Sequence, residues 1–216
     1  LFEDQVLKGH LREMELPERM TCPLLLEVSH LCKKYGGRNI FSDISFTVHT
    51  GERVLLCGAN GSGKSTLLRV ILGLLPADAG NVYQNSQKVA FALQEEADLP
   101  LTGDEVLADL RAEHAVDDDK MKEHLKGFGV TAQILERPLC EWSMGERKKF
   151  YLAAAFAQGG ELLVLDEPTN HIDAAALEYL YQQMAEYPGA LLAVSHREGI
   201  PVTWNQVIAL EGGGQE

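Results

Sequence analysis

The chain has 216 residues, of which 45% are apolar and 24% charged, and its formal net charge is −13. These proportions are typical of one large globular domain with a short appendage, and the negative charge argues against a broad nucleic-acid-binding face. Since no stretch of about 18 apolar residues occurs, the sequence predicts no membrane insertion. The four cysteines form no C-x-x-C pair, so we expect reduced thiols and a cytoplasmic protein.

The first part of the chain divides into a tail and a β-rich section. In residues 1–22 charged residues alternate with Leu and Met until Pro17, which predicts a helical linker tail. Because the chain begins with Leu1, we expect it to be a piece of a longer protein. Strands are predicted at residues 24–28 and 44–48, with a turn at the glycine pair 36–37.

A phosphate-binding loop is predicted after the apolar strand Arg53–Cys57 and before a helix over residues 66–72. The run that matches G-x-x-x-x-G-K-[ST] consists of Gly58, Ala59, Asn60, Gly61, Ser62, Gly63, Lys64, Ser65 and Thr66. Its glycines allow the backbone to approach phosphates closely, Lys64 supplies positive charge, and Ser65 offers a hydroxyl to Mg²⁺. The alternative is a glycine-rich turn without a ligand, but a strand and a helix flank this loop as nucleotide binding requires.

The middle of the chain is predicted to be a helical subdomain over about residues 102–157. Strands precede it at residues 81–83 and 88–93, and the subdomain begins with a helical pattern from 104 to about 136, with Asp104 as N-cap. A second long helix is predicted over residues 145–157. Beyond the subdomain we expect strands at 162–165, 190–194 and 206–210, with a helix over 174–186 between the first two.

Two acidic residues follow the fully apolar strand at residues 162–165. Such a strand is typical of the centre of a parallel sheet, so Asp166 should lie at the carboxyl edge beside the phosphate loop and hold Mg²⁺. Glu167 is then placed to polarise an attacking water. The alternative is a strand end with two solvated acids, which the upstream phosphate loop disfavours.

Further motifs resemble the nucleotide-binding domain of the ATP-binding cassette (ABC) superfamily, in order over about residues 24–211. They are Tyr35, Gln94, the run Ser143-Met144-Gly145-Glu146, Asp173 and His196, each of which is weak alone. The resemblance implies that Tyr35 stacks on adenine, that Gln94 contacts Mg²⁺ and the γ-phosphate, and that His196 senses this phosphate. It also implies that four residues contact the ATP of a partner cassette, namely Ser143, Gly145, Glu146 and Asp173.

The same resemblance implies an α/β fold over residues 23–212, with a P-loop core, an antiparallel β subdomain and the helical subdomain. In one departure, Met144 replaces the first glycine of the family signature, which puts the strength of that contact in question. Trp142 and Met144 are alternatively residues that pack against neighbours.

Two longer runs indicate a subfamily. Residues 166–173, D-E-P-T-N-H-I-D, and residues 187–196, Y-P-G-A-L-L-A-V-S-H, resemble ABC-F proteins, which carry two tandem cassettes and no transmembrane part. This resemblance implies the second cassette of an ATP-driven clamp that acts on the ribosome, in translation or antibiotic protection. The alternatives are the motor subunit of an ABC membrane transporter and a catalytically inactive binding module. The latter is disfavoured because Lys64, Asp166, Glu167 and His196 are all present.

Overall fold

A computed structural model describes residues 22–93, 100–114, 116–196 and 199–210. Its strands are β1 (Leu24–Tyr35), β2 (Arg38–His49), β3 (Arg53–Cys57), β4 (Ala79–Gln84), β5 (Val89–Ala92), β6 (Leu162–Asp166), β7 (Ala190–Ser195) and β8 (Gln206–Ala209). Its α-helices are α1 (Lys64–Ile71), α2 (Gly103–His114), α3 (Asp118–Gly127), α4 (Ala132–Leu135), α5 (Met144–Gln158) and α6 (Ala174–Glu186). The predicted linker tail falls almost entirely outside these ranges.

A parallel sheet forms the centre of the molecule, with strand order β5-β6-β7-β3-β8. Strands β6 and β7 are buried along their whole length, as their continuous apolar sequences predict. Because all five strands run in one direction, the carboxyl ends of β3, β6 and β7 lie at the same edge. This edge therefore gathers the residues that follow each of these strands.

A second, antiparallel sheet has the order β2-β1-β4. Strands β1 and β2 are each 12 residues long, well beyond the predicted 24–28 and 44–48. They form a hairpin in which Tyr35 pairs with Arg38 across Gly36 and Gly37, both at positive φ as a tight hairpin turn requires. The prediction fell short because shifts in the pairing register, such as that between Val28 and Leu31, and exposed polar residues interrupt the apolar alternation in these parts of the strands.

The helical subdomain contains three separate helices where one helical stretch was expected from residue 104 to 136. Asp104 is not the N-cap of α2, because it lies inside the first turn. Thr102 takes that role: its hydroxyl accepts a hydrogen bond from the Glu105 amide, and the Glu105 carboxylate accepts from the Thr102 amide. Helix α3 then begins at the N-cap Asp117, whose side chain accepts from the amides of Asp119 and Lys120.

Two apolar cores lie on opposite faces of the parallel sheet. Alternate residues of β6 divide between them: Leu163 and Leu165 pack with the helical subdomain, while Leu162 and Val164 pack with α1 and the antiparallel sheet. The predicted fold class, an α/β P-loop core with an antiparallel and a helical subdomain, is confirmed. Over the ranges that the structure describes, no helix has the length and apolar character needed to cross a membrane.

Candidate functional site

The phosphate loop connects β3 to α1, and two of its glycines leave little room for a side chain. Gly58 has φ 156° and Gly63 has φ 94°. A Cβ at Gly58 would lie 2.6 Å from the Leu210 carbonyl oxygen, and one at Gly63 would lie 2.6 Å from Ile40 Cγ2. These two glycines therefore let the loop pack closely against the Leu210 backbone and the Ile40 side chain.

Lys64 begins α1 and turns its ammonium group back into the loop. Its Nζ donates hydrogen bonds to the carbonyl oxygens of Gly58 and Ala59, both at 2.9 Å. The same Nζ lies 3.8 Å from Glu167 Oε1, and both side chains are buried. The positive charge is thus fixed at the inner face of the loop, where a phosphate group would find it.

Glu167 connects the phosphate loop to the end of β7. Its Oε2 lies 2.9 Å from Nδ1 of His196 and accepts a second bond from the His196 amide at 3.4 Å. Its backbone has φ 45°, which is unfavourable for a residue with a side chain, and its amide donates to the Val194 carbonyl. Strained backbone of this kind persists where the surroundings enforce it, commonly at functional sites.

Asp166 ends β6 with a carboxylate suited to a hard cation. The residue is 2% exposed, and its Oδ1 finds no hydrogen-bond partner among the described residues. Burial raises the pKa of Asp166, while the Ser65 hydroxyl and the Lys148 ammonium oppose the rise. A buried, unpaired carboxylate oxygen beside a serine hydroxyl is an oxygen donor set that fits Mg²⁺.

Two cavities open at this edge of the sheet. One, of about 420 Å³, is lined by the phosphate loop together with Glu167, Asn170 and His196. The other, of about 580 Å³, lies between Ser65, Asp166 and the first turn of α5. Volumes in this range accommodate small-molecule ligands, so the site has room for a nucleotide.

The predicted signature run forms the N-terminus of α5 and is satisfied by its own hydrogen bonds. Ser143 is the N-cap: its hydroxyl accepts from the Glu146 amide, and its amide donates to Glu146 Oε2 at 2.8 Å. Arg137 donates to the other carboxylate oxygen at 2.6 Å. This S-x-x-E capping box is readable in the sequence, but the sequence reasoning missed it.

The remaining predicted partner-facing residues lie against the same helix end. A Cβ on Gly145 would lie 2.4 Å from the His171 carbonyl oxygen, so the glycine allows α5 to meet the loop after β6. Asp173 caps α6 and accepts from Lys149 Nζ at 3.0 Å; the Ala176 amide and Lys149 lower its pKa. Residues 143–146 and the loop leading to Asp173 therefore form one surface.

The two residues around Ser143 differ in burial. Trp142 packs edge-on against Phe150 and donates from its indole nitrogen to the Arg137 carbonyl, so it is a core residue. Met144 is 59% exposed, so the packing interpretation does not apply to it. An exposed methionine thus occupies the place of the missing signature glycine.

Tyr35, a predicted nucleotide contact, is not among the residues that line the two cavities. Tyr35 is 50% exposed at the end of β1, and Lys33 Nζ lies 5.4 Å from its ring centroid. The adenine-stacking role of Tyr35 stays a prediction. Gln94 lies outside the described residues.

The fold and the phosphate loop define a P-loop nucleotide-binding domain. A family profile described as "ABC transporter" matches residues 41–170. The ribosome protection protein VmlR of Bacillus subtilis is 37% identical over 194 residues, which cover 88% of this chain and 35% of VmlR. ABC transporter F family member 3 of Arabidopsis thaliana is 32% identical, over 86% of this chain and 26% of that protein.

The chain therefore belongs to the ABC transporter family, and its relatives include the F family that the run at residues 166–173 predicted. A solved metal-chelate type ABC transporter in an inward-facing conformation shares the fold, with a TM-score of 0.71 at 21% identity, covering 89% of this chain and 82% of that one. The chain spans about a third of the length of the curated relatives it matches.

Proposed function

We propose that this chain is the ATP-binding and ATP-hydrolysing cassette of an ABC-F type protein. The observation that carries the proposal is the Glu167 carboxylate, which lies between Lys64 and His196 at the mouth of the glycine loop. A general base, a cation and a hydrogen-bonding imidazole thereby converge on one cavity. Phosphoryl transfer to water needs this set of groups.

Lys64 and the loop amides would bind the phosphates of ATP. Without a nucleotide the ammonium donates to two backbone carbonyls of its own loop. Phosphate oxygens are stronger acceptors than carbonyls because they carry full negative charge, so they would replace these contacts. Tyr35 would stack on adenine at the exposed side of the site.

Ser65 and Asp166 would hold Mg²⁺, and Gln94 completes the set that the sequence predicts. The ion would neutralise charge on the phosphates. The unpaired Oδ1 of Asp166, buried beside Ser65, supports this assignment. A buried carboxylate oxygen that no described group satisfies is costly, and a bound cation would remove that cost.

Glu167 would accept the proton of the attacking water, and His196 would orient the carboxylate. The bond of 2.9 Å between His196 Nδ1 and Glu167 Oε2 fixes the direction of the carboxylate. Since His196 also lines the loop cavity, it can contact the γ-phosphate and report its presence. The backbone strain at Glu167 supports a functional constraint at this position.

The complete catalytic site would need a second cassette. Ser143, Gly145, Glu146 and Asp173 form a surface at the start of α5, and we propose that this surface contacts ATP bound to a partner cassette. ATP would then close two cassettes as a clamp, and hydrolysis would release it.

By similarity to the ribosome protection protein VmlR, we propose that the parent protein acts on the ribosome in the cytoplasm. The net charge of −13 favours ribosome contacts through other parts of the parent.

The Glu167→Gln substitution tests this function in the parent protein. Glutamine keeps the size of the side chain but cannot act as a base, so we expect hydrolysis to fall by roughly 10²-fold or more while ATP affinity is retained. Phosphate release and calorimetric ATP binding measure the two quantities. The control is Glu178→Gln on the exposed side of α6, which should change neither. Unchanged hydrolysis in Glu167→Gln would remove Glu167 from the catalytic role.

A further inference from the structure

Lys148 is a buried cation that connects two parts of the molecule. It lies in the first turns of α5, is 5% exposed, and donates from Nζ to the backbone carbonyl of Asp166 at 2.8 Å. An ammonium group is removed from water only at high cost unless it is well hydrogen-bonded. The buried position of the Lys148 ammonium group therefore needs a physical explanation.

The carbonyl that Lys148 contacts belongs to the peptide bond between Asp166 and Glu167. The orientation of this peptide sets the direction of the Asp166 carbonyl. The next backbone torsion along the chain is the unfavourable φ of 45° at Glu167. A strong hydrogen bond to the carbonyl thus helps to hold the strained conformation. The same bond links the helix that begins at Ser143 to the strand end that carries both acids.

We propose that Lys148 is a positioning residue for the magnesium-binding carboxylate, an inference that rests on the proposed function above. By fixing the peptide after Asp166, Lys148 holds in place the residue whose unpaired Oδ1 is the proposed Mg²⁺ ligand, at the cavity that Ser65 and Asp166 both line. It acts through the backbone of Asp166, and its ammonium charge also acts on the Asp166 carboxylate. Its effect on ATP binding should therefore be largest when Mg²⁺ is present.

A purely structural role for Lys148 makes a different prediction. A lysine that only satisfies a buried carbonyl would lower stability when removed, and it would weaken ATP binding equally with and without Mg²⁺. A positioning residue changes the ratio of these two affinities. The useful quantity is therefore the dissociation constant for ATP in EDTA divided by the constant in excess Mg²⁺.

The experiment measures this ratio for the chain and for Lys148→Met, which keeps the apolar stem and removes the donor. We expect the ratio to fall by about fivefold, the scale of one lost hydrogen bond, while affinity in EDTA stays near that of the unsubstituted chain. Lys148→Arg, which retains a charged donor, should recover part of the ratio. The matched control is Lys88→Met, because Lys88 donates to the Gln158 carbonyl at the other end of α5. It should leave the ratio unchanged.

Each outcome bears on a separate claim. An unchanged ratio in Lys148→Met, or an equal loss with and without Mg²⁺, overturns the positioning role and leaves the proposed function intact. If Lys148→Met does not fold, Lys148→Gln replaces it; its shorter side chain should also lower the ratio, and an unchanged ratio there overturns the role. An unsubstituted chain that binds no ATP overturns the proposed function and this inference together.

Discussion

The phosphate loop and the start of α5 differ in whether their polar groups are hydrogen-bonded. At the phosphate loop, the buried Ser62 Oγ and Asp166 Oδ1 have no hydrogen-bond partner within the part of the chain that the structure describes. At the start of α5, Ser143 and Glu146 satisfy each other and Arg137 neutralises the carboxylate. The first region is costly to fold without a ligand, while the second is stable by itself.

This difference fits the ligands that we propose for the two regions. Unpaired buried groups around the loop are expected where a ligand that belongs to this chain completes the site. The self-satisfied helix end needs no ligand for its own stability, which suits a surface that meets a nucleotide only when a partner delivers it. Substitutions at the two regions should therefore differ in kind, with effects on binding at one and on stability at the other.

The largest expected effect is a loss of ATP affinity when the phosphate loop is changed. Lys64→Ala removes the ammonium group from the phosphate loop, and charged hydrogen bonds of about 1.5–3 kcal/mol correspond to a loss of roughly 10- to 100-fold in ATP affinity. Isothermal calorimetry on the purified chain measures it. Lys122→Ala, on the exposed side of α3, is the control and should bind ATP normally. Equal affinities for Lys64→Ala and the parent chain would exclude Lys64 from phosphate binding.

A smaller effect is expected from the helix cap at the other region. Ser143→Ala should lower the free energy of unfolding by about 1 kcal/mol, since the α5 cap is lost, yet leave the ATP affinity of the single chain unchanged. Asp117→Ala removes the side-chain cap of α3 and is the matched variant for stability.

In the parent protein with both cassettes, only Ser143→Ala should also slow hydrolysis. Denaturant unfolding, calorimetry and phosphate release measure the three quantities. Reduced ATP affinity in the isolated Ser143→Ala chain would contradict the separation of the two regions.

The smallest effect has the opposite sign. Asp166→Asn removes a buried negative charge whose pKa burial raises, so the chain measured in EDTA without nucleotide should gain stability. We expect its Tm to rise by a few degrees, while the effect of Mg²⁺ on ATP binding disappears. Thermal unfolding with and without EDTA tests both statements. A lower Tm for the Asp166→Asn chain in EDTA would show that the carboxylate stabilises the unliganded fold.

Most of the fold could be predicted from sequence because its main signals are local. The apolar run at residues 162–165 identified a central parallel strand, and that placement put Asp166 and Glu167 at the sheet edge. The phosphate loop followed from its glycines and flanking elements. The full length of the hairpin strands was missed because register shifts and exposed polar residues interrupt the apolar alternation, and the helical stretch was not divided because the N-cap Asp117 was not recognised.

The contacts within the site depend on tertiary structure and have no local signal. Glu167 meets His196 across 29 residues of sequence, and Lys148 meets the Asp166 carbonyl across 18. No sequence motif or periodicity predicts contacts between residues so far apart in the chain. The caps at Thr102 and Ser143 differ, because both S/T-x-x-E patterns stand in the sequence and could have been read from it.

The central claim, that one cassette binds ATP but two are needed to hydrolyse it, is tested by the concentration dependence of hydrolysis. The isolated chain should bind Mg-ATP and hydrolyse it poorly, with a rate that grows more than linearly with protein concentration. Added salt should raise the rate modestly, because it screens repulsion between two chains of charge −13. Brisk hydrolysis strictly proportional to concentration, from a species that light scattering shows to be monomeric, would contradict the claim.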